Sequence, residues 1–552
     1  MSEPERFWLK YMPPEIPADI DSSAYTSIWS MVSEVIQRQP DLPAYHHLGT
    51  TISYRQLDYL SQQFAASLQS RFKVVKSDRI ALMVPNTLAH PIAMFGILRS
   101  GGTVVNINPL LTARELQTQL SDSGARLIVA LGICTDALKQ ILHNTSIEHV
   151  IVTEVGDFHP PLRGWLINAY TRYIKGLKPA NGYSDNRITQ CLRMERESFQ
   201  KTEIGQDDIA FLQYTGGTTG VAKAAILSHG NMIANTLQAY ACIAPAFKSL
   251  KPYVITALPL YHIFALTANC LVVIKLGGCS HLITNPRDMG RFIKEIRHVG
   301  FHVITGVNTL FNTMLRHADF RGIDFSNLRL TLAGGMSVQD TTAQQWYELT
   351  NSAIVEAYGL TEASPAITAN PVDSKQYSGT IGMPLPSTEV SIRDDNGVAL
   401  PLNTTGELWA RGPQVMSGYW NRPEETREVL TDDGWLKTGD IAQMDEHGYI
   451  RIVDRKKDMI IVSGFNVYPN EVEAVLCNHP GIDEAGVVGI SNEGAGETIK
   501  AVIIKNNPEL TEAEIISYCR EQLTAYKVPK VIEFRQTLPK TNVGKILRRE
   551  LR

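Results

Sequence analysis

The 552-residue chain sets 52 Lys and Arg against 56 Asp and Glu, and its formal net charge of −4 provides no global attraction to nucleic acid or to an anionic membrane. Hydrophobic residues at 44% and charged residues at 20% are the balance of an ordinary globular protein, too long for one core at roughly 150 residues per domain. The seven cysteines (Cys134, Cys191, Cys242, Cys270, Cys279, Cys477 and Cys519) are scattered without a CxxC pair, which argues against a zinc ribbon or a disulfide framework and for single thiols in a reducing cytoplasm.

The start, MSEPERFWLKY, lacks a long apolar run and does not read as a signal peptide. A lead-in follows, with one helix whose apolar positions include Trp29 and Val32 or Val35. Short apolar runs then alternate with helical patterns. Asp78 to Val84 reads as a strand, Pro91 to Leu98 as a helix, Thr103 to Asn106 as a strand and Arg114 to Leu120 as a helix. Arg126 to Ala130 and His149 to Thr153 read as strands around a helix from Cys134 to Leu142. Such alternation predicts an α/β fold with a mostly parallel sheet covered on both faces. It resumes after Asp208, where Ile209 to Tyr214 is a strand and Ser228 a candidate helix cap. Val254 to Leu258, Leu328 to Ala333 and Ala353 to Tyr358 each run into a loop holding Pro or Gly. Ligands of open α/β sheets bind beyond such strand ends, so one shared pocket is expected. The run from Ile263 to Leu276 is the most apolar, yet too short and too interrupted to span a bilayer.

Near residue 380 the texture becomes β-rich, with period-two runs at Glu389 to Ile392 and Gly406 to Ala410. A small α/β module begins near Asp454. Its expected strands are Ile460 to Val462, Glu484 to Ile490, Lys500 to Lys505 and Val531 to Phe534; a helix spans Pro469 to Cys477, and Thr511 opens a capping box.

The sharpest chemical signal is Tyr214-Thr-Gly-Gly-Thr-Thr-Gly-Val-Ala-Lys223, directly after a strand. Gly216, Gly217 and Gly220 permit tight curvature and exposed N–H groups; Thr215, Thr218 and Thr219 add hydroxyls, and Lys223 a cation, which suits phosphate oxygens. It is not a Walker A loop, which sets glycine and lysine side by side. A plain glycine-rich turn is the alternative at this point.

This segment resembles the phosphate loop of the adenylate-forming, acyl-activating superfamily, with Ala224 where the family pattern has glycine. If that position required positive φ, alanine there would cost about 1 kcal/mol or more. Further motifs occur in the family's order. Pro259-Leu-Tyr-His-Ile-Phe264 resembles the aromatic motif beside the acyl pocket, and Ala333-Gly-Gly-Met336 the glycine segment packed on adenine. Tyr358-Gly-Leu-Thr-Glu362, Trp435-Leu-Lys-Thr-Gly-Asp440, Asp454-Arg-Lys-Lys-Asp458 and Pro539-Lys-Thr-Asn-Val-Gly-Lys545 complete the set. FLQYTGGTTGVAK, ITNPRD, GPQVMSGYW and SGFNVYPNEVE bring the chain nearest to the bacterial long-chain fatty-acid–CoA ligases.

That resemblance implies a large multi-subdomain adenylation domain of α/β sheets plus a β-rich portion over 1–454, a small mobile α+β domain over 455–552, and a hinge at Lys457. It also implies that ATP and Mg²⁺ activate a fatty acid as acyl-AMP, which coenzyme A then takes as a thioester; transfer to a carrier protein is the alternative acceptor. Under the same resemblance Lys545, Thr218 and Glu362 are catalytic, and Thr218 and Glu362 also serve the metal. Tyr214, Thr215, Gly216, Gly217, Thr218, Thr219, Gly220, Lys223, Gly334, Gly335, Met336, Tyr358, Gly359, Leu360, Thr361, Asp440 and Arg455 hold the nucleotide, and His262 lines the acyl pocket. By composition alone His262 would be a core histidine, Lys456 a solvated charge and Lys545 part of a basic tail. A homodimer is compatible with the sequence. So is peripheral contact with the inner membrane, for which Pro161 to Lys178 has an interfacial character: Leu162, Trp165, Leu166, Ala169, Tyr173 and Ile174 share a helical face with Arg163, Arg172, Lys175 and Lys178 beside it.

Overall fold

The computed structural model describes residues 6–174, 186–193, 198–215, 222–462, 465–492, 496–541 and 544–552. The α/β alternation resolves into two sheets, as expected of a large domain with several subdomains. The first has five parallel strands, Arg79–Met83, Thr103–Asn106, Leu127–Leu131, His149–Thr153 and Ile209–Thr215, and an antiparallel edge, Lys223–Ser228. The second has nine strands, with a parallel centre of Tyr253–Thr256, Cys279–Leu282, Val303–Gly306, Leu330–Ala333 and Ile354–Gly359. The lead-in supplies one of its edges, because Pro43–His47 pairs in parallel with Cys279–Leu282. All three strands expected to share a pocket lie in this sheet.

The apolar run after His262 is not a surface or membrane element. It forms the helix Ile263–Ala265, a π-helical turn Leu266–Leu271 and the helix Val272–Lys275, largely buried between the sheets. Its polar side chains are satisfied internally: Thr267 Oγ1 donates to Ser364 O at 2.7 Å, and Asn269 Oδ1 accepts from Thr305 Oγ1 at 2.9 Å. Ser228 caps the helix His229–Ile243 through the Asn231 N–H at 3.1 Å, and Thr511 caps Glu512–Gln522 through Glu514 N–H at 3.3 Å.

The β-rich stretch is a four-stranded antiparallel sheet of Glu389–Arg393, Gly406–Arg411, Leu436–Met444 and Ile450–Arg455. Beyond it a five-stranded sheet of Ile460–Val462, Phe465–Val467, Ile482–Asn492, Gly496–Lys505 and Val531–Phe534 packs with the helices Pro469–Cys477 and Glu512–Gln522. This module has a core of its own, built on Val472, Leu476, Val487, Ile499, Ala501, Ile503 and Ile515. Among the described residues no helix is long and apolar enough to cross a membrane.

Candidate active site

Leu330–Ala333 and Ile354–Gly359 are parallel neighbours, Ala333 opposite Glu356, so the glycine segment and Tyr358 emerge at the same sheet edge. Gly334 is wedged: a Cβ there would stand 3.0 Å from Ala357 O and 3.1 Å from the Phe264 ring. Gly335, at φ +79°, faces open space instead, which suits a flat ligand lying on bare backbone. Met336 packs beside it on the main core. Gly359 admits no side chain, since a Cβ would be 2.0 Å from Pro365 O. Leu360 and Tyr358 pack on the apolar cluster beneath the four-stranded sheet.

Asp440 and Arg455 are register partners in that sheet. The Tyr358 hydroxyl donates to Asp440 Oδ2 at 2.6 Å, and Arg455 Nε lies 3.0 Å from Oδ1. Burial, with the Asp440 carboxylate beside it, pushes the Tyr358 phenol far above its usual range, so it remains a donor. The Asp440 backbone is held by Thr438 Oγ1 at 3.1 Å. Lys456, read from composition as a solvated charge, pairs with Glu407 at 3.2 Å and Asp395 at 2.7 Å.

On the phosphate side the hairpin register sets Thr215 opposite Lys223. Gly216, Gly217, Thr218, Thr219 and Gly220 lie outside the described residues. Two departures from expectation follow from this hairpin. The Tyr214 hydroxyl turns away from the loop, donating to Gln119 O at 3.0 Å and Asp122 Oδ2 at 2.8 Å, so its side chain anchors the strand to the neighbouring helix. Ala224 is a buried strand residue, paired with Tyr214 and absent from the positive-φ positions, so the loop does not require glycine there.

Glu362 and Thr361 sit in the short turn Thr361–Ala363. Tyr419 closes this corner: its hydroxyl donates to Glu362 Oε1 at 2.6 Å, and Lys223 Nζ stands 5.4 Å from its ring centre. The backbone explains the placement, because Trp420 N–H donates to Ala224 O at 2.8 Å and Ile226 N–H to Gly418 O at 2.9 Å. Among the described residues no group of three His, Cys, Asp or Glu side chains is placed to hold a metal. A Mg²⁺ at this corner would therefore use the hard oxygen of Glu362 together with substrate phosphate, the usual habit of that ion.

His262 precedes the buried helix, its Nδ1 accepting the Phe264 N–H at 3.3 Å. Burial depresses the imidazole to about 4, so it is neutral with its proton on Nε2. Asn86 latches the loop leading to it, donating to Thr256 O at 3.0 Å and Leu258 O at 2.9 Å and accepting Leu260 N–H at 2.8 Å.

Lys545 arrives at the same place from the other end of the chain. A tight turn holds it, with Thr541 N–H donating to Lys545 O at 2.7 Å, Lys545 N–H to Thr541 Oγ1 at 3.0 Å, and Gly544 at φ +86°. That turn docks on the large unit, where a Cβ on Gly544 would be 2.3 Å from Thr309 Oγ1. Burial, reinforced by Arg455 and opposed by Asp440, lowers the Lys545 ammonium to about 8. Lys457 is more exposed, yet its ammonium too is lowered to about 8, by desolvation and then by Arg455. Tyr419, Asn86 and Thr438 were not singled out by sequence reasoning; GPQVMSGYW offered a signal for the first, but only as a likeness.

The chain matches the model for AMP-binding enzymes over 32–420 and that for their C-terminal domain over 471–545, and so is of the adenylate-forming class. It belongs to the long-chain-fatty-acid–CoA ligases of that family: a ligase of this name from Yersinia pestis is 52% identical over 99% of this chain and 98% of its own, and one from Escherichia coli O157:H7 is 49% identical over 99% and 98%. ATP-bound MatB from Rhodopseudomonas palustris superposes with a TM-score of 0.81 at 26% identity, covering 95% of this chain and 98% of that one.

Proposed function

We infer that the chain joins a fatty acid to AMP and passes the acyl group to coenzyme A, and the convergence of Lys545, Asp440 and Tyr358 from separate modules is the observation that carries this reading. In the first step a carboxylate oxygen bonds to the α-phosphorus of ATP and the bond to pyrophosphate breaks. Both reactants are anionic, so rate depends on placed positive charge. Lys223, Thr215 and the intervening loop hold phosphates; Lys545 meets the carboxylate and α-phosphate as charge shifts. Glu362 would hold Mg²⁺, which would supply charge neutralisation. Gly334, Gly335 and Met336 support adenine beside the Tyr358 ring; Asp440 and Arg455 take the ribose hydroxyls, and the neutral His262 borders the acyl chain. In the second step the thiol sulfur of coenzyme A bonds to the acyl carbon, the bond to AMP breaks and the thiol proton leaves to solvent. The small domain, which follows Lys457, swings about that residue between the steps so that Lys545 withdraws, while Arg455 stays with Asp440 in the four-stranded sheet.

The substrate is also a clue to location. Leu162, Trp165, Leu166, Tyr170 and Tyr173 are exposed along the helix Pro161–Ala169 and the turn Tyr170–Ile174, with Arg163 and Arg291 exposed beside them, whereas Arg172, expected on this face, is paired with Glu154 instead. This face suits a lipid surface, aromatic and aliphatic groups entering the headgroup layer and arginines meeting phosphate. Lys175 and Lys178 of the same segment lie outside the described residues.

Coenzyme A–dependent AMP formation across saturated acids from about six to eighteen carbons tests the reaction and reads the chain preference, each buried CH₂ being worth about 0.8 kcal/mol. AMP appearing only with a phosphopantetheinylated carrier would assign the other acceptor.

A further inference from the structure

Arg548 lies three residues beyond Lys545 and gathers three carboxylates and an amide oxygen around one guanidinium. Its Nη1 stands 3.1 Å from Asp454 Oδ1 and 3.2 Å from Asp458 Oδ2. Its Nε and Nη2 meet Glu473 at 3.0 and 2.7 Å, and Nη2 donates to Asn470 Oδ1 at 2.5 Å. These partners fall on two sides of the joint. Asp458, Asn470 and Glu473 follow Lys457 and belong to the small module. Asp454 does not: it is locked into the four-stranded sheet opposite Ile441, one residue from the Asp440–Arg455 pair. Its side chain is fully buried, and its second oxygen accepts the Asn470 N–H at 2.7 Å.

We propose that Arg548 is the latch of the domain cycle, seated permanently in Glu473 and Asp458 and engaging Asp454 only while the small domain presents Lys545 to the site. The inference rests on the hinge reading at Lys457. A rotation there carries Arg548, Glu473 and Asp458 together and leaves Asp454 behind, so of the three carboxylates only the Asp454 bond must break. The forked guanidinium is suited to this because it bonds several carboxylates at once in fixed geometry. Arg548 touches no reacting atom; it is a positioning residue, and its effect must fall on the acyl-AMP step. A second ion pair across the joint, Arg316 with Asp483 at 2.8 Å, has its arginine side chain 53% exposed and is the natural comparison, since exposed pairs contribute little.

The experiment measures the two half-reactions separately, pyrophosphate–ATP exchange with palmitate and thioester formation from supplied palmitoyl-AMP, for Asp454→Asn, Arg548→Lys, Arg316→Ala and Lys457→Pro. Asp454→Asn and Arg548→Lys should each slow exchange about tenfold, a mid-range conformational coupling, while thioester formation is unchanged or faster; Arg316→Ala should match the unaltered enzyme in both. Lys457→Pro should do the reverse, keeping exchange and losing thioester formation. If Lys457→Pro separates the half-reactions but the latch variants lower both equally, or neither, with cooperative melting retained, the latch is wrong. If Lys457→Pro fails to separate them, the hinge reading falls and the latch with it.

Discussion

The phenol of Tyr419 donates to Oε1 of Glu362 at 2.6 Å while its ring lies 5.4 Å from Lys223 Nζ. One aromatic side chain thus adjoins the carboxylate assigned to Mg²⁺ and the lysine assigned to phosphate. Burial and the carboxylate keep the phenol protonated. Tyr419→Phe deletes the donor and keeps the ring. A hydrogen bond to a charged group contributes about 1.5–3 kcal/mol, so acyl-AMP formation should slow by roughly tenfold or more. The half-saturating Mg²⁺ concentration should shift as well, and thioester formation from supplied acyl-AMP should not. A Mg²⁺ titration checks this; an unchanged midpoint would separate Tyr419 from the metal.

Asp440 serves two partners before any nucleotide arrives. Asp440→Ala leaves the buried Tyr358 hydroxyl and Arg455 without their acceptor, and an unpaired buried donor costs about 1–3 kcal/mol. ATP and AMP affinity measured calorimetrically should fall by a comparable amount, with the order of preferred acids unchanged. Undiminished nucleotide affinity would reject the ribose assignment.

The Lys545 ammonium, ordinarily at 10.5, stands at about 8 in this orientation. A group with a depressed value binds fewer protons docked than undocked, so docking gains with rising pH. In the ligand-free enzyme the opposition to docking is complete below about 8, shrinks toward 10.5 and is absent above it. Energy transfer between fluorophores on the two modules should report more docked enzyme across that window, and Lys545→Met should reduce the slope, the remainder belonging to Lys457, which is lowered to about 8 in the same orientation. An identical slope in the variant would place the titration elsewhere. Lys545→Ala should also abolish most acyl-AMP formation while sparing much of the thioester step, which the half-reactions read directly.

Trp165 and Leu166 are 66% and 53% exposed. Replacing both by Asp should weaken co-sedimentation with anionic vesicles several-fold at low salt without changing activity on a short, soluble acid. Binding equal to that of the unaltered chain would move the contact to another face.

Ala224→Gly restores the family's residue at a strand position. Because no positive φ is used there, the change should lower stability by about 0.5–1 kcal/mol and leave the rate unimproved. Thermal melting and steady-state rates test this, and a faster enzyme would show that the loop wants glycine.

Much of this organisation was legible because local signals agreed with one another. Thr103–Asn106, His149–Thr153 and Pro469–Cys477 stand where periodicity and Pro placed them, and the Ser228 cap and the Thr511 capping box both formed. What failed was anything decided by distant pairing. Nothing local says that Pro43–His47 joins Cys279–Leu282, or that Ile209–Thr215 and Tyr253–Thr256 fall in different sheets. The same limit governed the site. Tyr214 belongs to the phosphate motif by position, yet Asp122 claims its hydroxyl. Arg548 looks like one charge in a basic tail until Asp454 and Glu473 are brought to it by the fold.

The turn that carries Lys545 is seated against Thr309 of the helix Asn308–Arg316, so in the proposed cycle the piece of chain that delivers the cation also serves as a wall of the site. A wall that is itself a reagent cannot be withdrawn without admitting water to a mixed anhydride. Hydrolysis is therefore the built-in competitor of thioester formation, and the interval between opening and arrival of the thiol sets how much activated acid is wasted. Release of free fatty acid from acyl-AMP when coenzyme A is withheld is the direct readout of that leak.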